Sequence, residues 1–197
     1  MNTKIIFIDN FDSFSYNLVD ELQILGAETI VYRNDIDPKI VYDKAVTYKN
    51  EGYKVLCVLS PGPSSPTDAN NLMAIIDIMK GSFPLLGICL GHQALGLSLG
   101  GKVVQAKEIA HAQASYVTHE HQACFTNLPS PLRVARYHSL VVTDLPQDVE
   151  VVANCNDIVM ALYKADLKIL GLQFHPESIL TTYGRKILKN AVTLLCD

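Results

Sequence analysis

The sequence lacks the marks of a membrane protein and of a secreted protein. None of its apolar stretches approaches the roughly 18 uninterrupted residues that suggest a membrane span. Residues 4–9, near the N-terminus, have the length of a buried strand and not that of the apolar region of a signal peptide. We therefore expect a soluble, cytoplasmic protein with no membrane partner.

Runs of basic residues and closely paired cysteines are also missing. The net charge is -4, and no run of lysine or arginine could neutralise several phosphates in a row, which argues against nucleic acid as a partner. The five cysteines are widely spread without CxxC spacing, so we expect neither a disulfide framework nor a cysteine zinc site. The 197 residues, 49% of them hydrophobic, fit a single globular domain over residues 1–197.

Apolar runs of strand length alternate with helical patterns in the first half of the chain. The runs cover residues 5–8, 29–32, 55–59 and 85–88, and the helical patterns cover residues 14–25 and 70–79. Runs with few polar residues are typical of parallel strands buried on both faces. The alternation predicts an α/β fold whose open, mostly parallel sheet has helices on both faces and sites at the carboxyl ends of its strands. We expect Asp12 or Ser13 to cap the first helix and Gly26 to stop it.

Shorter β-type segments follow in the second half. Those at residues 102–105, 116–119 and 133–135 predict a small antiparallel β layer inserted into the fold. The chain then returns with predicted strands at residues 149–153, 159–163 and 169–174, and with a final helix at residues 183–195.

Cys89 lies in a pattern that is typical of a nucleophile. A short apolar strand, a Gly-x-Cys-x-Gly turn from Gly87 to Gly91 and a helical pattern follow one another, as in the nucleophile elbow of hydrolases. The glycines allow a sharp turn, and the N-terminus of the following helix favours the thiolate. A free cysteine is most often a small core residue, and we assign that role to Cys57, which has no such flanks.

A nucleophilic cysteine needs a general base, and the base needs a group that orients it. Of the six histidines, only His175 directly follows a predicted strand and has a carboxylate two residues away, on Glu177. In extended backbone, residues two apart point to the same side, so Glu177 can hydrogen-bond the ring nitrogen that faces away from sulfur. For an isolated triplet of this kind, a surface histidine and glutamate beside a turn proline is the competing interpretation.

A loop of proline, glycine and serine, at residues 60–66, follows the predicted strand at residues 55–59. Such a loop can aim the backbone N–H of Gly62 at the oxygen of a tetrahedral intermediate. The backbone N–H of Leu90 would be the second donor of this oxyanion hole.

Taken together, these segments resemble the class I (triad) glutamine amidotransferases, and within that family the glutaminase subunits of anthranilate synthases. Five stretches in order carry the resemblance across essentially the whole chain: IDNFDSF at residues 8–14, SPGP at 60–63, GICLGHQ at 87–93, RYHSL at 136–140 and QFHPES at 173–178.

The resemblance implies a role for each matching residue. Cys89 would be the nucleophile, His175 the base and Glu177 its orienter. The glutamine substrate would contact Gly62, Pro63, Ser64, Leu90, the side chain of Gln93, and the backbone of Ser139 and Leu140. The implied reaction passes through a γ-glutamyl thioester on Cys89 and releases ammonia, with no metal and no other cofactor in this chain.

The resemblance also implies a protein partner. In the family, ammonia passes to a chorismate-aminating large subunit, component I of anthranilate synthase in tryptophan biosynthesis, and 197 residues leave no room for that second site. Glutaminase subunits of aminodeoxychorismate synthase share every motif, so that pathway stays open. A non-catalytic subunit that senses glutamine and a stand-alone thiol hydrolase of γ-glutamyl peptides are further alternatives.

Two clusters resemble metal sites. Residues 119–124 contain two histidines and a cysteine that could bind zinc, but no fourth ligand is evident, and we interpret the segment as a solvated hairpin. Asp9, Asn10 and Asp12 could suggest magnesium, but helix capping and bracing of a neighbouring loop explain them.

The chain departs from the family pattern at two places. It has His111-Ala112-Gln113 where the family commonly has His-Gly-Lys, and Ser64-Ser65 where Gly commonly precedes Thr. Neither change removes a member of the triad, and we expect the first to affect assembly with the partner.

Overall fold

The structure, a computed structural model, describes residues 2–106 and 113–197. In chain order its helices and strands are β1 (Thr3–Asp9), α1 (Ser15–Ile24), β2 (Glu28–Arg33), α2 (Pro38–Asn50), β3 (Lys54–Leu59), α3 (Leu72–Met79), β4 (Leu85–Ile88), α4 (Leu90–Ser98), β5 (Lys102–Gln105), β6 (Gln113–His119), β7 (Leu132–Arg136), β8 (Leu140–Thr143), β9 (Glu150–Cys155), β10 (Ile158–Lys164), β11 (Ile169–Leu172) and α5 (Gly184–Cys196). Within the described ranges, no helix is long and apolar enough to cross a membrane.

The main sheet begins with a parallel half. Its strand order is β2-β1-β3-β4-β11-β10-β9-β6-β7, and the first five of these strands are parallel. The carboxyl ends of β1, β3, β4 and β11 therefore meet at one edge, which is where open α/β sheets form their sites. The predicted α/β class and mostly parallel sheet are confirmed.

Most of the predicted antiparallel layer belongs to the main sheet and does not form a separate layer. Strands β10, β9, β6 and β7 continue the main sheet with antiparallel pairing, and only β5 and β8 form the small second sheet. The sequence indicated β6 and β7 as strands but not the attachment of β6 to β9. That attachment depends on which unpaired backbone edge is nearby in space.

Helices cover both faces of the parallel half, as predicted. On one face α1 and α5 bury Leu18, Leu22 and Leu188 in one apolar cluster, and on the other α2 and α3 bury Val41 and Ile75 in a second cluster. Burying apolar area in two layers against one sheet is the main favourable contribution to the stability of such a fold.

Three details differ from the sequence-based predictions. Helix α2 was not predicted, although Asp37 caps it by accepting the Lys39 N–H at 2.9 Å. Strand β2 lies at the sheet edge, so its side chains are half exposed and not buried on both faces. Helix α1 has Phe14 at its N-cap, and Asp12 accepts the Phe14 N–H at 2.8 Å, whereas the helix does end before Gly26, whose φ is 84°.

Candidate active site

Cys89 lies at the turn between β4 and α4. Its φ of 52° is in the left-handed region, which residues other than glycine rarely adopt and which often marks a functional site. Its backbone N–H donates to the Leu172 carbonyl at 2.8 Å, and its carbonyl accepts the Gln93 N–H at 3.0 Å. The thiol is therefore held at the carboxyl end of β4, with 7% of the residue exposed.

The two glycines around Cys89 are required by close backbone contacts. A Cβ on Gly87 would lie 2.5 Å from the carbonyl carbon of Gly91, and a Cβ on Gly91 would lie 2.4 Å from the carbonyl oxygen of Leu59. Real Cβ atoms do not approach backbone this closely. The sharp turn thus depends on the absence of a side chain at both positions.

His175 and Glu177 form a buried pair beside this turn. His175 Nδ1 lies 2.6 Å from Glu177 Oε1. The other ring nitrogen, Nε2, is buried and has no hydrogen-bond partner among the described residues. Burial lowers the pKa of His175, but the neighbouring Cys89 and Glu177 raise it by more, so the pKa lies well above its ordinary value of 6.5. A histidine oriented by a carboxylate and placed beside a cysteine is the arrangement that nucleophilic catalysis by cysteine requires.

The segment that carries His175 is fixed to the antiparallel half of the sheet. The His175 N–H donates to the Ala135 carbonyl at 3.1 Å. The buried Thr181 hydroxyl donates to the His175 carbonyl at 2.6 Å and accepts the Ala135 N–H at 3.0 Å. Sequence reasoning missed Thr181, because a threonine six residues after the histidine shows no pattern of its own.

The loop after β3 lies against the start of α4. A Cβ built on Gly62 would lie 2.7 Å from Leu90 Cδ2 and 2.6 Å from Asn10 Cβ. Asn10 holds this loop, because its backbone N–H donates to Ser60 Oγ and its amide to the Ser60 carbonyl, both at 2.8 Å. The structure thus brings together the two residues predicted to form the oxyanion hole.

Residues predicted to contact glutamine fall into two groups. Gln93 is buried, and its Nε2 donates to the Leu140 carbonyl at 3.0 Å, which links α4 to β8. Pro63, Ser64 and Ser139 are exposed, and no described contact joins them to Cys89. Their binding of glutamine stays a prediction.

Gln173 is a site residue that sequence reasoning did not single out. It is fully buried, its Oε1 accepts the Gln93 amide at 3.2 Å, and its Nε2 donates to Cys89 Sγ at 3.8 Å. Its position two residues before His175 was the available signal, since residues two apart in extended backbone share a side.

The two metal-like clusters have structural roles. Asp9 Oδ1 accepts the Ser15 hydroxyl at 2.6 Å, which agrees with the predicted bracing role of this cluster. The interpretation of residues 119–124 as a solvated hairpin is wrong for His119 and Cys124, which are both buried, and His119 stacks on Phe125 with ring centroids 4.6 Å apart. Among the described residues, no group of three or more histidine, cysteine or acidic side chains could hold a metal ion.

The remaining predictions concern a cysteine and a departure from the family pattern. Cys57 is a core residue, as predicted, and burial raises the pKa of its thiol to about 12.

His111 and Ala112 lie outside the described residues, and Gln113 begins β6.

Comparison with known proteins connects this geometry to a family. The family model described as glutamine amidotransferase class-I matches residues 6–194. The chain belongs to this family. Two curated relatives of this amidotransferase are both named anthranilate synthase component 2. The one from Vibrio parahaemolyticus is 47% identical over 189 residues, covering 96% of this chain and 94% of the relative. The one from Helicobacter pylori is 48% identical over 192 residues, covering 98% and 97%.

Solved structures agree with the amidotransferase fold. A Thermoplasma acidophilum protein, described provisionally as a component of GMP synthase, superposes with a TM-score of 0.82 at 29% identity and covers 98% of this chain and 94% of its own. A glutamine amidotransferase from Thermotoga maritima superposes with a TM-score of 0.73 at 18% identity over the full length of both chains, which supports the fold alone.

Proposed function

We propose that this class-I amidotransferase is the glutaminase subunit of an anthranilate synthase. It hydrolyses L-glutamine to glutamate and delivers the ammonia to a synthase large subunit, which aminates chorismate in tryptophan biosynthesis. The observation that carries the proposal is the buried His175 imidazole, whose Nδ1 lies 2.6 Å from Glu177 Oε1 and whose pKa the neighbouring Cys89 helps to raise. The names of the relatives at 47% and 48% identity supply the pathway.

The chemistry follows from the positions of the three side chains. The Cys89 thiolate attacks the side-chain carbonyl of glutamine, and the N–H groups of Gly62 and Leu90 stabilise the resulting oxyanion. His175 gives its proton to the leaving ammonia, and a γ-glutamyl thioester remains on sulfur. His175 then takes a proton from water, which attacks the thioester and releases glutamate. Glu177 keeps the imidazole oriented through both steps.

Exposed apolar side chains beside the triad support a protein partner. Phe14 and Ile179, which are 56% and 98% exposed, line a pocket of about 280 Å³ together with Tyr137, His175 and Glu177. Apolar residues gathered at one place on a surface often mark a contact with another protein. A synthase subunit that covers this pocket would receive ammonia without its passage through bulk water. The reduced thiol that the reaction needs agrees with a cytoplasmic location.

Aminodeoxychorismate synthase is the second candidate assembly, because its glutaminase subunit shares the same motifs. The relatives named above favour the anthranilate enzyme. Two further alternatives are less well supported. A subunit that only senses glutamine would not need a histidine oriented by a carboxylate, and a stand-alone hydrolase would not need exposed apolar side chains around its active-site pocket.

Glutamate release by the purified chain tests the proposal. We expect weak activity alone and stimulation by an anthranilate synthase large subunit, but not by an aminodeoxychorismate synthase large subunit. Cys89→Ser should lower the stimulated rate at least about a thousandfold, whereas Cys196→Ser, at the end of α5, should leave it unchanged. Full activity without any partner would support the hydrolase instead, and no glutamate under any condition would support the sensor.

A further inference from the structure

A continuous set of hydrogen bonds runs from a buried arginine to the sulfur of Cys89. Arg136 Nε donates to His138 Nε2 at 3.0 Å. His138 Nδ1 and Gln93 Nε2 each lie 3.0 Å from the carbonyl oxygen of Leu140. The Gln93 amide also meets Gln173 Oε1 at 3.2 Å, and Gln173 Nε2 lies 3.8 Å from Cys89 Sγ.

Arg136 determines the direction of the first bonds in this network. A guanidinium has five N–H donors and no acceptor, so the His138 nitrogen that faces it must accept. The proton of a neutral His138 therefore sits on Nδ1 and is donated to the Leu140 carbonyl. Burial, together with the charge of Arg136, lowers the pKa of His138 to about 4, so the ring is neutral near pH 7.

The carbonyl oxygen of Leu140 then determines the orientation of the side-chain amides of Gln93 and Gln173. A carbonyl oxygen only accepts, so the nitrogen of the Gln93 amide must point to it. The same nitrogen donates its second hydrogen to Gln173, which must therefore accept through its side-chain oxygen. Gln173 is left with its nitrogen toward Cys89, and Gln93 is left with its oxygen as an acceptor.

We propose that Gln173 is a positioning residue that couples the glutamine-binding side chain of Gln93 to the Cys89 nucleophile. It accepts from Gln93, which keeps the Gln93 oxygen directed to a donor group of the substrate. It donates to sulfur, which stabilises the thiolate as a charge-assisted hydrogen bond does. This inference rests on the proposed function for its substrate, but its effect on sulfur is measurable without turnover.

Two substitutions separate the bond that Gln173 accepts from Gln93 from the bond that it donates to Cys89. Gln173→Glu keeps an acceptor for Gln93 but replaces the donor at sulfur with a negative charge. We expect the pH of half-maximal Cys89 alkylation by iodoacetamide to rise by about one unit, with KM for glutamine within about twofold of the original. Gln173→Leu removes both bonds, so KM should also rise about tenfold.

The matched control is Asn190→Asp, the same amide-to-carboxylate exchange in α5. Asn190 donates to the carbonyls of Cys124 and Thr126 at 2.9 and 3.0 Å and contacts neither Cys89 nor Gln93. Its alkylation profile, read by mass spectrometry of the Cys89 peptide, should match that of the original chain. Melting curves of all variants show whether they are folded. If Gln173→Leu is unstable, Gln173→Glu alone still tests the bond from Gln173 to the Cys89 sulfur.

The outcomes distinguish this inference from the proposed function. An active chain whose Gln173→Glu variant alkylates at the original pH would overturn the coupling and leave the glutaminase intact. An equal rise in KM in the glutamate and leucine variants would overturn the role of Gln173 as the acceptor for Gln93. A chain that forms no glutamate with any synthase would overturn the proposed function, while the alkylation profile would still report on Gln173.

Discussion

At the scale of single residues, the position of the base depends on a side chain that touches no reacting atom. Thr181 joins the strand residue Ala135 to the backbone of His175 through two buried hydrogen bonds, of 3.0 and 2.6 Å. Both bonds hold the segment that carries the imidazole, so we expect Thr181 to help fix the position of the imidazole. Catalytic groups lose much of their effect when such supporting contacts are loosened.

Replacement of Thr181 by valine tests this role. Valine has nearly the same shape but no hydroxyl, so the Ala135 N–H loses its partner and the His175 carbonyl keeps only the Ser178 N–H, at 3.3 Å. We expect the free energy of unfolding to fall by about 2 kcal/mol and kcat of the assembled enzyme to fall at least about tenfold. Urea titration and glutamate release measure the two effects. Thr181→Ser, which keeps the hydroxyl, is the control, and a valine variant with full kcat would contradict the role.

At the scale of elements, the unit formed by β4, the turn and α4 depends on backbone packing against β3. The Leu59 carbonyl oxygen lies 2.4 Å from the position that a Cβ of Gly91 would take, so any side chain there would move the helix that follows Cys89. The strained φ of Cys89 persists because the strand before it and the helix after it are both buried. The elbow is therefore a property of three packed elements together.

Gly91→Ala should destabilise the fold and abolish glutaminase activity. Backbone atoms at 2.4 Å cannot yield as a flexible side chain can, so we expect a loss of about 3 kcal/mol in urea titration. Gly52→Ala is the control, because nothing lies within 4 Å of a Cβ there and the cost is limited to its φ of 87°, about 1 kcal/mol. Equal losses in the two variants would mean that crowding at Leu59 is unimportant.

At the scale of the whole molecule, buried histidines make stability depend on pH. Burial lowers the pKa of His92 to about 3, and burial with the Arg136 charge lowers that of His138 to about 4, from 6.5. Below pH 6.5 the unfolded chain binds protons at these positions that the folded chain does not, so stability falls as pH falls. His175 acts in the opposite sense: its raised pKa gives stability that is complete below pH 6.5 and is lost as pH rises through the folded value.

Urea titrations between pH 6.5 and pH 4 measure this dependence. Each of the two neutral histidines should contribute a slope of up to about 1.4 kcal/mol per pH unit. His92→Gln, which removes one of these groups, should reduce the slope by that amount while leaving the contribution of His138. The same slope in variant and original chain would contradict the assignment to His92.

Local patterns in the sequence by themselves determined which residues form the strands of the parallel half and which three side chains could form a triad. The Gly-x-Cys-x-Gly turn and the His-x-Glu spacing are readable because each depends on neighbours only a few residues away. Helix α2 was missed because it buries only three of its residues, Val41, Ala45 and Tyr48, against the sheet. A pattern that weak does not stand out from a loop.

Only the tertiary structure decided the attachment of β6 to β9, the burial of His119, and the roles of Thr181 and Gln173. Gln93 and Gln173 are 80 residues apart along the chain, and Arg136, at the end of β7, joins the network through His138, in the turn before β8. Nothing in the local periodicity encodes such pairings, because a hydrogen bond forms between whichever donor and acceptor the packed elements bring within about 3 Å. The nucleophile could therefore be predicted from the sequence, whereas the contacts that hold and orient it form only in the folded chain.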